Sequence, residues 1–543
     1  MSAPVSATAA SVTESATNHA GATKRARVGV FGWGIVAPKS PNIEAFARNL
    51  ESSESWLTPF EGFGPSNFLV GQPDFDFADY KAWIDARFAP RHYQNLKEKM
   101  DMPSLYAIGA FIQALGQNPG LERLLKELGN QAHVYVGTGL GAIETMYQSS
   151  VTLHLAQQRW NRFWGSAENN SALSAYLAGE LKELDDVPMN PAEAEGDLLE
   201  LSLAWEAYWM QRSPELREYL DEAVAIDSLV MEGEVEHGKL HIIRERGKRH
   251  ARLQEKWGAP VPPWQVSANL IWNIHNTPAS QVSILGRITG MAFAPVAACS
   301  TFGLALRLAM QAIERGEAKV VVVGATDPPP HPLVVGSFYG ARVLSASRQV
   351  SAPLTQLQGT HVAGGAVVWI VGDMEYLKSK GMKPLGMEPI AAGVSSDAHH
   401  IITPSQAGPQ AAIQQALEEA HATPGQINTW DLHATATPGD YAEISTLRTV
   451  LPDSVMVTAR KGTFGHGMSA GGGWELTAQY LGYVAGHLFP TLLTEGSLNS
   501  SIAGIHDRFV FADSCIAAKG LAGKLSSGIG GINACVISRP LED

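Results

Sequence analysis

The sequence predicts an α/β protein in which mixed sheets lie buried beneath helices. Two series of alternating segments carry that expectation. In the first, the runs Arg27 to Val36, His133 to Gly137, Lys319 to Gly324 and Ala366 to Val371 read as strands, and Pro103 to Leu115 and Ser300 to Arg315 read as helices. The second series starts near Pro384, where Gln406 to Ala420, Gln426 to His433, Val455 to Ala459 and Gly473 to Gly486 alternate in the same way. Content is the third observation. Of the 543 residues, 45% are hydrophobic, enough for one large two-lobed unit or for roughly two to four ordinary domains.

Taken in order, residues Met1 to about Ala26 are rich in Ser, Thr and Ala, hold no apolar signal core and end in the basic cluster Lys24, Arg25, Arg27. They read as a disordered tail over 1–26. The same Ser-rich, Arg-bearing, acid-poor composition marks organellar transit peptides, the minority alternative to a cytoplasmic protein. After the first strands, a mostly helical insertion runs from roughly Met146 to Gly258. There Leu198, Leu201, Trp205 and Trp209 recur at i, i+3, i+7 and i+11, and Leu216, Leu220 and Val224 recur every four residues, so each helix is expected to bury that face. Trp160, Trp164, Trp205, Trp209 and Trp257 concentrate large aromatic area here, expected to be the insertion's own core, with a subunit interface or partner site as the other readings.

Composition excludes several classes of function. Three cysteines make no disulfide framework, no run of 18 apolar residues suggests a membrane span, and a net charge of −13 argues against nucleic acid as the main partner.

Chemistry concentrates in three segments. Cys299 stands in PVAACSTFGLALRLAM, where an apolar approach delivers a thiol to the first turn of the helix carrying Leu304, Leu306, Met310 and Ile313, which stops at Gly316. A helix N-terminus favours the thiolate, so a lowered pKa is expected, and its free amides can stabilise an oxyanion. The bland alternative is a buried core cysteine. The second segment, TWDLHATATPGDYAEI, places His433 ahead of Thr435, Thr437, Asp440 and Glu443. The third, RKGTFGHGMSAGGGWEL, holds Lys461 and His466 in a glycine-rich turn too irregular for a regular helix. Neutral imidazoles can donate N–H bonds to a developing enolate, and a neighbouring lysine can hold the local proton balance.

These residues carry a family likeness. With RVGVFGWGIVAPKS, HVYVGTGLGAIE, GVSSDAHHIITP and SSGIGGINACVIS in the same order, the chain resembles an elongating β-ketoacyl-(acyl carrier protein) synthase of the thiolase superfamily from about Arg27 to Ser538, apart from the insertion. The paired histidines fit the elongating type, because an initiating synthase would place asparagine at the second position. The resemblance implies a layered αβαβα sandwich of two pseudo-symmetric halves, 27–376 and 377–543, with the insertion at about 146–258 in the first half. It implies that Cys299 takes the acyl chain as a thioester, that His433 and His466 assist malonyl decarboxylation, and that Lys461 supports them. It further implies an oxyanion hole from the backbone N–H of Cys299 and Ile529, pantetheine contacts at Thr435 and Thr437, and structural support from Asp440 and Glu443. No metal or redox cofactor is implied. The partners would be an acyl carrier protein and a second subunit, as homodimer or as heterodimer with a related chain, in fatty acid or polyketide-type biosynthesis. The chain departs from the pattern in four ways: Ala434 and Ala436 replace glycines and one residue is missing before Asp440, which would narrow the pantetheine tunnel, and Ile529 replaces the phenylalanine that gates access.

Other readings compete. Gly467 to Gly471 fits G-x-S-x-G, a serine-hydrolase elbow at Ser469, but it lacks a strand immediately before it and leaves only His487 and His506 downstream. A catalytically silent partner subunit would lack the nucleophile that Cys299 supplies. Asp227-Ser228-Leu229 matches a carrier tripeptide without its following apolar helix, Gly137, Gly139 and Gly141 lack the third glycine of a dinucleotide loop, and adjacent His399 and His400 make a poor metal pair. Two basic runs suggest carrier docking: Arg87, Arg91, Lys97 and Lys99, and Arg244, Arg246, Lys248, Arg249 and Arg252.

Overall fold

Ten strands form two five-stranded sheets in the computed structural model, which describes residues 26–64, 68–181, 184–195, 198–229, 235–265, 269–401 and 405–542. The expected N-terminal tail lies outside the described residues except for Ala26. The first sheet contains β1 (Val28–Val36), β2 (Ala132–Gly137), β3 (Ala292–Phe293), β4 (Val320–Asp327) and β5 (Gly365–Asp373), in the order β1-β5-β4-β2-β3. The second contains β6 (Met387–Ser396), β7 (Ile427–Asp431), β8 (Met456–Thr458), β9 (Leu521–Gly528) and β10 (Ile532–Pro540), in the order β6-β10-β9-β7-β8. In both sheets the first strand pairs antiparallel with the last, the last pairs antiparallel with the fourth, and the remaining pairs are parallel. The halves therefore repeat one topology.

Two helices lie between the sheets. Thr301–Glu314 and Met468–Ala485 each contact strands of both halves, and the second is buried on nearly every side from Met468 to Tyr480. Its small and apolar residues suit such a place, and its buried polar groups find partners there. Met102–Gly116 and Thr277–Gly286 cover the outer face of the first sheet, and Ala407–Glu419 covers that of the second, giving five layers.

The insertion adds Ile143–Trp164, Ser171–Leu177, Leu198–Met210, Pro214–Asp227 and Val235–Trp257, all helical as expected. Its tryptophans form their own core in two groups: Trp160 and Trp164 with Tyr219 and Trp257, and Trp205 with Trp209 and Leu173. The expected buried face of the Pro214–Asp227 helix is corrected. Leu216, Tyr219 and Ala223 are buried, whereas Leu220 is 37% and Val224 66% exposed. A strict four-residue step drifts by about 40° around a helix of 3.6 residues per turn. Alternating steps of three and four stay on one face. Leu198 is likewise exposed while Trp205 and Trp209 are buried.

One buried carboxylate joins the halves. Glu388 of β6 accepts two hydrogen bonds from Arg27, ahead of β1, and two from Arg539 of β10. Burial opposes its ionisation, and the two guanidiniums outweigh that and hold its carboxyl below the usual range. A depressed carboxylate pKa stabilises the fold above the unfolded-state pKa, and this contribution is lost as pH falls through the folded value. Glu388→Ala is expected to lower unfolding free energy by about 2–3 kcal/mol at neutral pH, and the difference from wild type should shrink in urea titrations run at acid pH.

Candidate active site

The site forms where the loops after β3, β7, β8 and β9 face one another. The loops carrying Cys299 and His466 occupy equivalent places in the two halves, each joining the third strand of its half to a central helix. The chain leaves β3, places Ala298 in the left-handed region at φ 47°, and makes a 3₁₀ turn over Ala298–Ser300 before the Thr301–Glu314 helix. The regular helix thus begins one residue later than expected, with Cys299 in the preceding turn. A non-glycine residue at such a φ is strained, and neighbouring contacts must hold it. Thr301 does so: its hydroxyl donates to the Ala298 carbonyl at 2.7 Å and accepts from Ala297 N at 2.9 Å. Ser300 Oγ lies 3.0 Å from the Ser526 carbonyl and 2.7 Å from that of Ile532, fixing the turn against β9 and β10. The β9 loop comes so close that a Cβ on Gly528 would lie 2.8 Å from the Ala297 carbonyl oxygen. Only glycine fits there.

His466 follows a one-turn helix, Lys461–Phe464, where the sequence suggested irregular turn, and precedes Met468, also left-handed at φ 47°. Its amide donates to the His361 carbonyl at 2.6 Å and its carbonyl accepts from Ala363 N at 2.9 Å. Its Nε2 lies 3.1 Å from Cys299 Sγ. The half-buried His433, at the end of β7, sets its ring 5.4 Å from that of His466, nearly perpendicular to it. Sγ and one nitrogen of each imidazole lie within 4.8 Å of one another, the only such group that could hold a metal ion among the described residues.

Behind His433 the backbone is tightly held. Its amide donates to Glu443 at 2.7 Å and its carbonyl accepts from Lys461 Nζ at 2.6 Å. Asp440 accepts from the amides of Leu354, Thr435 and Ala436, and the Thr435 and Thr437 hydroxyls lie 3.0 Å apart. Ala436 is buried and left-handed at φ 58°.

Burial dominates the electrostatics. It pushes the Cys299 thiol up to about 11, against the opposing effects of Lys461 and the backbone N–H groups of Ile529 and Cys299. The expectation of a lowered thiol pKa is therefore corrected: the helix-end field and amides act in the expected direction, but desolvation of a thiol 7% exposed outweighs them. Burial, followed by Lys461, holds His433 and His466 well below the usual histidine range, so both imidazoles are neutral near pH 7. The carboxyls of Asp440 and Glu443 are pushed up by burial to about 6 and about 7.

Cys299, His433, His466, Thr435, Thr437, Asp440, Glu443 and Ile529 all line one largely apolar cavity of about 650 Å³, with Lys461 packed behind it. The Ile529 side chain is 48% exposed, beside Ile401, whose carbonyl accepts from Gly530 N at 2.7 Å. His400 also lines the cavity, in a loop that Asp397 ties to Ser405 and Asn533.

Two groups escaped the sequence reading. Glu475, wholly buried, pairs with Lys461 at 2.5 Å and with Lys524 of β9 at 2.7 Å. Its signal was a lone charge in the otherwise uncharged run AGGGWELTAQYL. Asp327, at the end of β4, accepts from the amides of Gly139, Leu140 and Ser469 and from the Ser469 hydroxyl.

That last contact decides the fate of the serine elbow. Ser469 is fully buried in the first turn of its helix, preceded by the His466 loop rather than a strand, and its hydroxyl is spent on Asp327. Ser469→Ala is expected to cost about 1–3 kcal/mol of stability, measured by urea unfolding, because it removes one of the donors to a buried carboxylate. Cys299 acylation should be nearly unchanged.

The basic runs separate. Lys97 and Lys99 lie on the His92–Lys99 helix, with Lys99 Nζ 4.7 Å from the Trp272 ring, while Arg87 turns away to Glu122. In the insertion, Arg244, Lys248 and Arg252 are exposed, but Arg246 donates to the Leu229 carbonyl and Arg249 pairs with Glu245.

Comparison with known proteins bears on the family and the fold. Residues 389–494 match the family model "Beta-ketoacyl synthase, C-terminal domain", and residues 246–375 match "Beta-ketoacyl synthase, N-terminal domain". The latter match begins only at the end of the insertion, which separates β1 and β2 from the rest of their sheet. The chain is 29% identical over 482 residues to the 3-oxoacyl-[acyl-carrier-protein] synthase 2 of Vibrio harveyi, covering 86% of this chain and 88% of that one. It is 31% identical over 205 residues to the chloroplastic 3-oxoacyl-[acyl-carrier-protein] synthase I of Arabidopsis thaliana, covering 36% of this chain and spanning only 43% of that relative's length. Among solved structures, the ishigamide ketosynthase/chain length factor superposes with a TM-score of 0.65 at 17% identity, covering 96% of this chain and 100% of that one. Its fold is that of a ketosynthase, the thiolase-like layered arrangement found here. Both domain models of the β-ketoacyl synthase family thus match this chain, one in each of its two repeated halves, and its layered fold is that of the solved ketosynthases.

Proposed function

We propose that this chain catalyses a decarboxylative Claisen condensation between an acyl thioester carried on Cys299 and a malonyl thioester on an acyl carrier protein. The observation that carries the reading is the Cys299 thiol 3.1 Å from His466 Nε2, with His433 beside it, at the wall of an apolar cavity. In the first half-reaction the thiol passes its proton to His466 Nε2 as sulfur attacks the acyl carbonyl. The backbone N–H groups of Cys299 and Ile529 receive the oxyanion, and the carrier thiolate leaves with that proton. In the second, with His466 now in its Nε2–H tautomer, its proton moved from Nδ1, the malonyl thioester carbonyl accepts N–H bonds from His433 and His466, CO2 departs, and the carbonyl oxygen takes up the resulting enolate charge. The enolate carbon then attacks the Cys299 thioester, releasing the β-ketoacyl product and returning the thiolate.

Thr435 and Thr437 offer hydroxyls to the pantetheine arm, and Lys461 orders His433 through its carbonyl. Asp440 and Glu443 hold the backbone on which both act. The chemistry needs no metal or redox cofactor. A second copy or a related subunit would dock on the free edge of β3, where Met291 is 51% and Val296 53% exposed, unpaired in the first sheet. Three free cysteines fit a reducing compartment, and cytoplasmic placement is part of this reading. Among the described residues no helix is long and apolar enough to cross a membrane.

Separate assay of the half-reactions tests the proposal. His433→Ala and His466→Ala are expected to retain measurable acylation of Cys299 while CO2 release from malonyl carrier falls roughly 10²- to 10³-fold, the usual loss for one oxyanion donor. Unchanged decarboxylation in both variants would remove these histidines from the mechanism.

A further inference from the structure

A second cavity, of about 560 Å³, shares no residue with the catalytic one. It opens where the turn after helix Lys81–Asp85, the helix Leu121–Leu128 and the end of helix Thr277–Gly286 meet. Four cations from these three segments line it, Arg87, Arg123, Lys126 and Arg287, against one carboxylate, Glu122. In a chain of net charge −13 this is a local reversal of sign.

The cations are positioned. Arg87 lies 4.3 Å from the Trp83 ring and makes two hydrogen bonds to Glu122, at 2.7 and 2.9 Å, which uses its charge internally. Arg287 lies 5.8 Å from the Phe88 ring and donates to the Arg87 carbonyl at 3.3 Å. It also stands at the helix C-cap with φ 52° and ψ 38°, the left-handed conformation in which glycine is favoured. An arginine held there against its backbone preference, its planar fork set on an aromatic shelf, is pre-organised for a planar or tetrahedral oxyanion. Arg123 is only 3.6 Å from Glu127 in an exposed contact, and Lys126 is exposed.

We propose that this cavity binds a diphosphate group, with Arg287, Arg123 and Lys126 as its ligands. Its concavity favours a small polyanion over a flat protein surface, and Arg287 and Lys126, joined by Arg123 once an anion displaces its exposed 3.6 Å contact with Glu127, match a diphosphate. The proposal is independent of the condensation chemistry.

Calorimetric titration of the full chain with inorganic pyrophosphate at low ionic strength tests it. One saturable site is expected. Arg287→Gly should weaken it about tenfold or more while leaving the melting temperature unchanged or raised, because glycine suits that φ. Arg123→Gln with Lys126→Gln should weaken it further. Neutralising Arg244, Lys248 and Arg252 on the insertion should leave it intact. ADP binding more tightly than pyrophosphate would assign the site to a nucleotide, and equal binding would assign it to the diphosphate alone. No saturable binding by wild type, equal loss from the insertion variant, or tighter binding of a polyglutamate peptide would each overturn the proposal.

Discussion

Cys299→Ala is expected to abolish acyl-enzyme formation, read as loss of the acyl mass increment on the intact protein, and to lower condensation by roughly 10⁴-fold or more. Folding should survive, since alanine keeps the backbone of the elbow and removes only a sulfur. Wild type supplies the companion result. With the thiol pushed up to about 11 by burial, the thiolate is a minor species at neutral pH. Iodoacetamide labelling of Cys299 should therefore quicken about tenfold per pH unit from neutrality and level off near pH 11. A labelling curve already flat at pH 8 would show that the amides and Lys461 outweigh desolvation. Persistence of acylation in the alanine variant would remove the proposed mechanism altogether.

The second large effect lies behind the histidines. Glu475 is the shared anion of Lys461 and Lys524, all three buried. Glu475→Ala leaves two ammonium groups without a counter-charge and is expected to cost about 3–5 kcal/mol of stability in urea unfolding, as when one partner of a buried pair is removed. Lys461 bonds the His433 carbonyl, so the damage should also reach decarboxylation more than acylation of Cys299. In a double-mutant cycle with Lys461→Met, the second substitution should cost much less in the Glu475→Ala background, because one orphaned charge has already gone. Additive losses would mean that the two charges do not act on each other.

The amino-acid sequence by itself determined the strands and helices that carry the site, because each has a local cause. The all-valine run of β4, Val320 to Val323, cannot hide its apolar side chains on one face only, and the Thr301–Glu314 helix shows its apolar stripe within fifteen residues of Cys299. His433, Lys461 and His466 were legible for a related reason, since each interrupts an apolar or glycine-rich run with a group that is costly to bury without a use, whereas Cys299 was legible from its place at the start of a helix. What tertiary structure decided is every property that depends on distance across the chain. Cys299 and His466 are 167 residues apart and meet only because two equivalent loops face each other between the sheets. The thiol's proton affinity departs from the local expectation because dipole and amides are local, whereas desolvation is imposed by the whole surrounding body. Glu475 needed Lys524 from another strand before its charge made sense, and Ser469 lost its nucleophilic reading to Asp327, 142 residues away. Local pattern specifies which groups are present and on what element. Burial and charge pairing, which set protonation and reactivity, are fixed only when distant segments close around them.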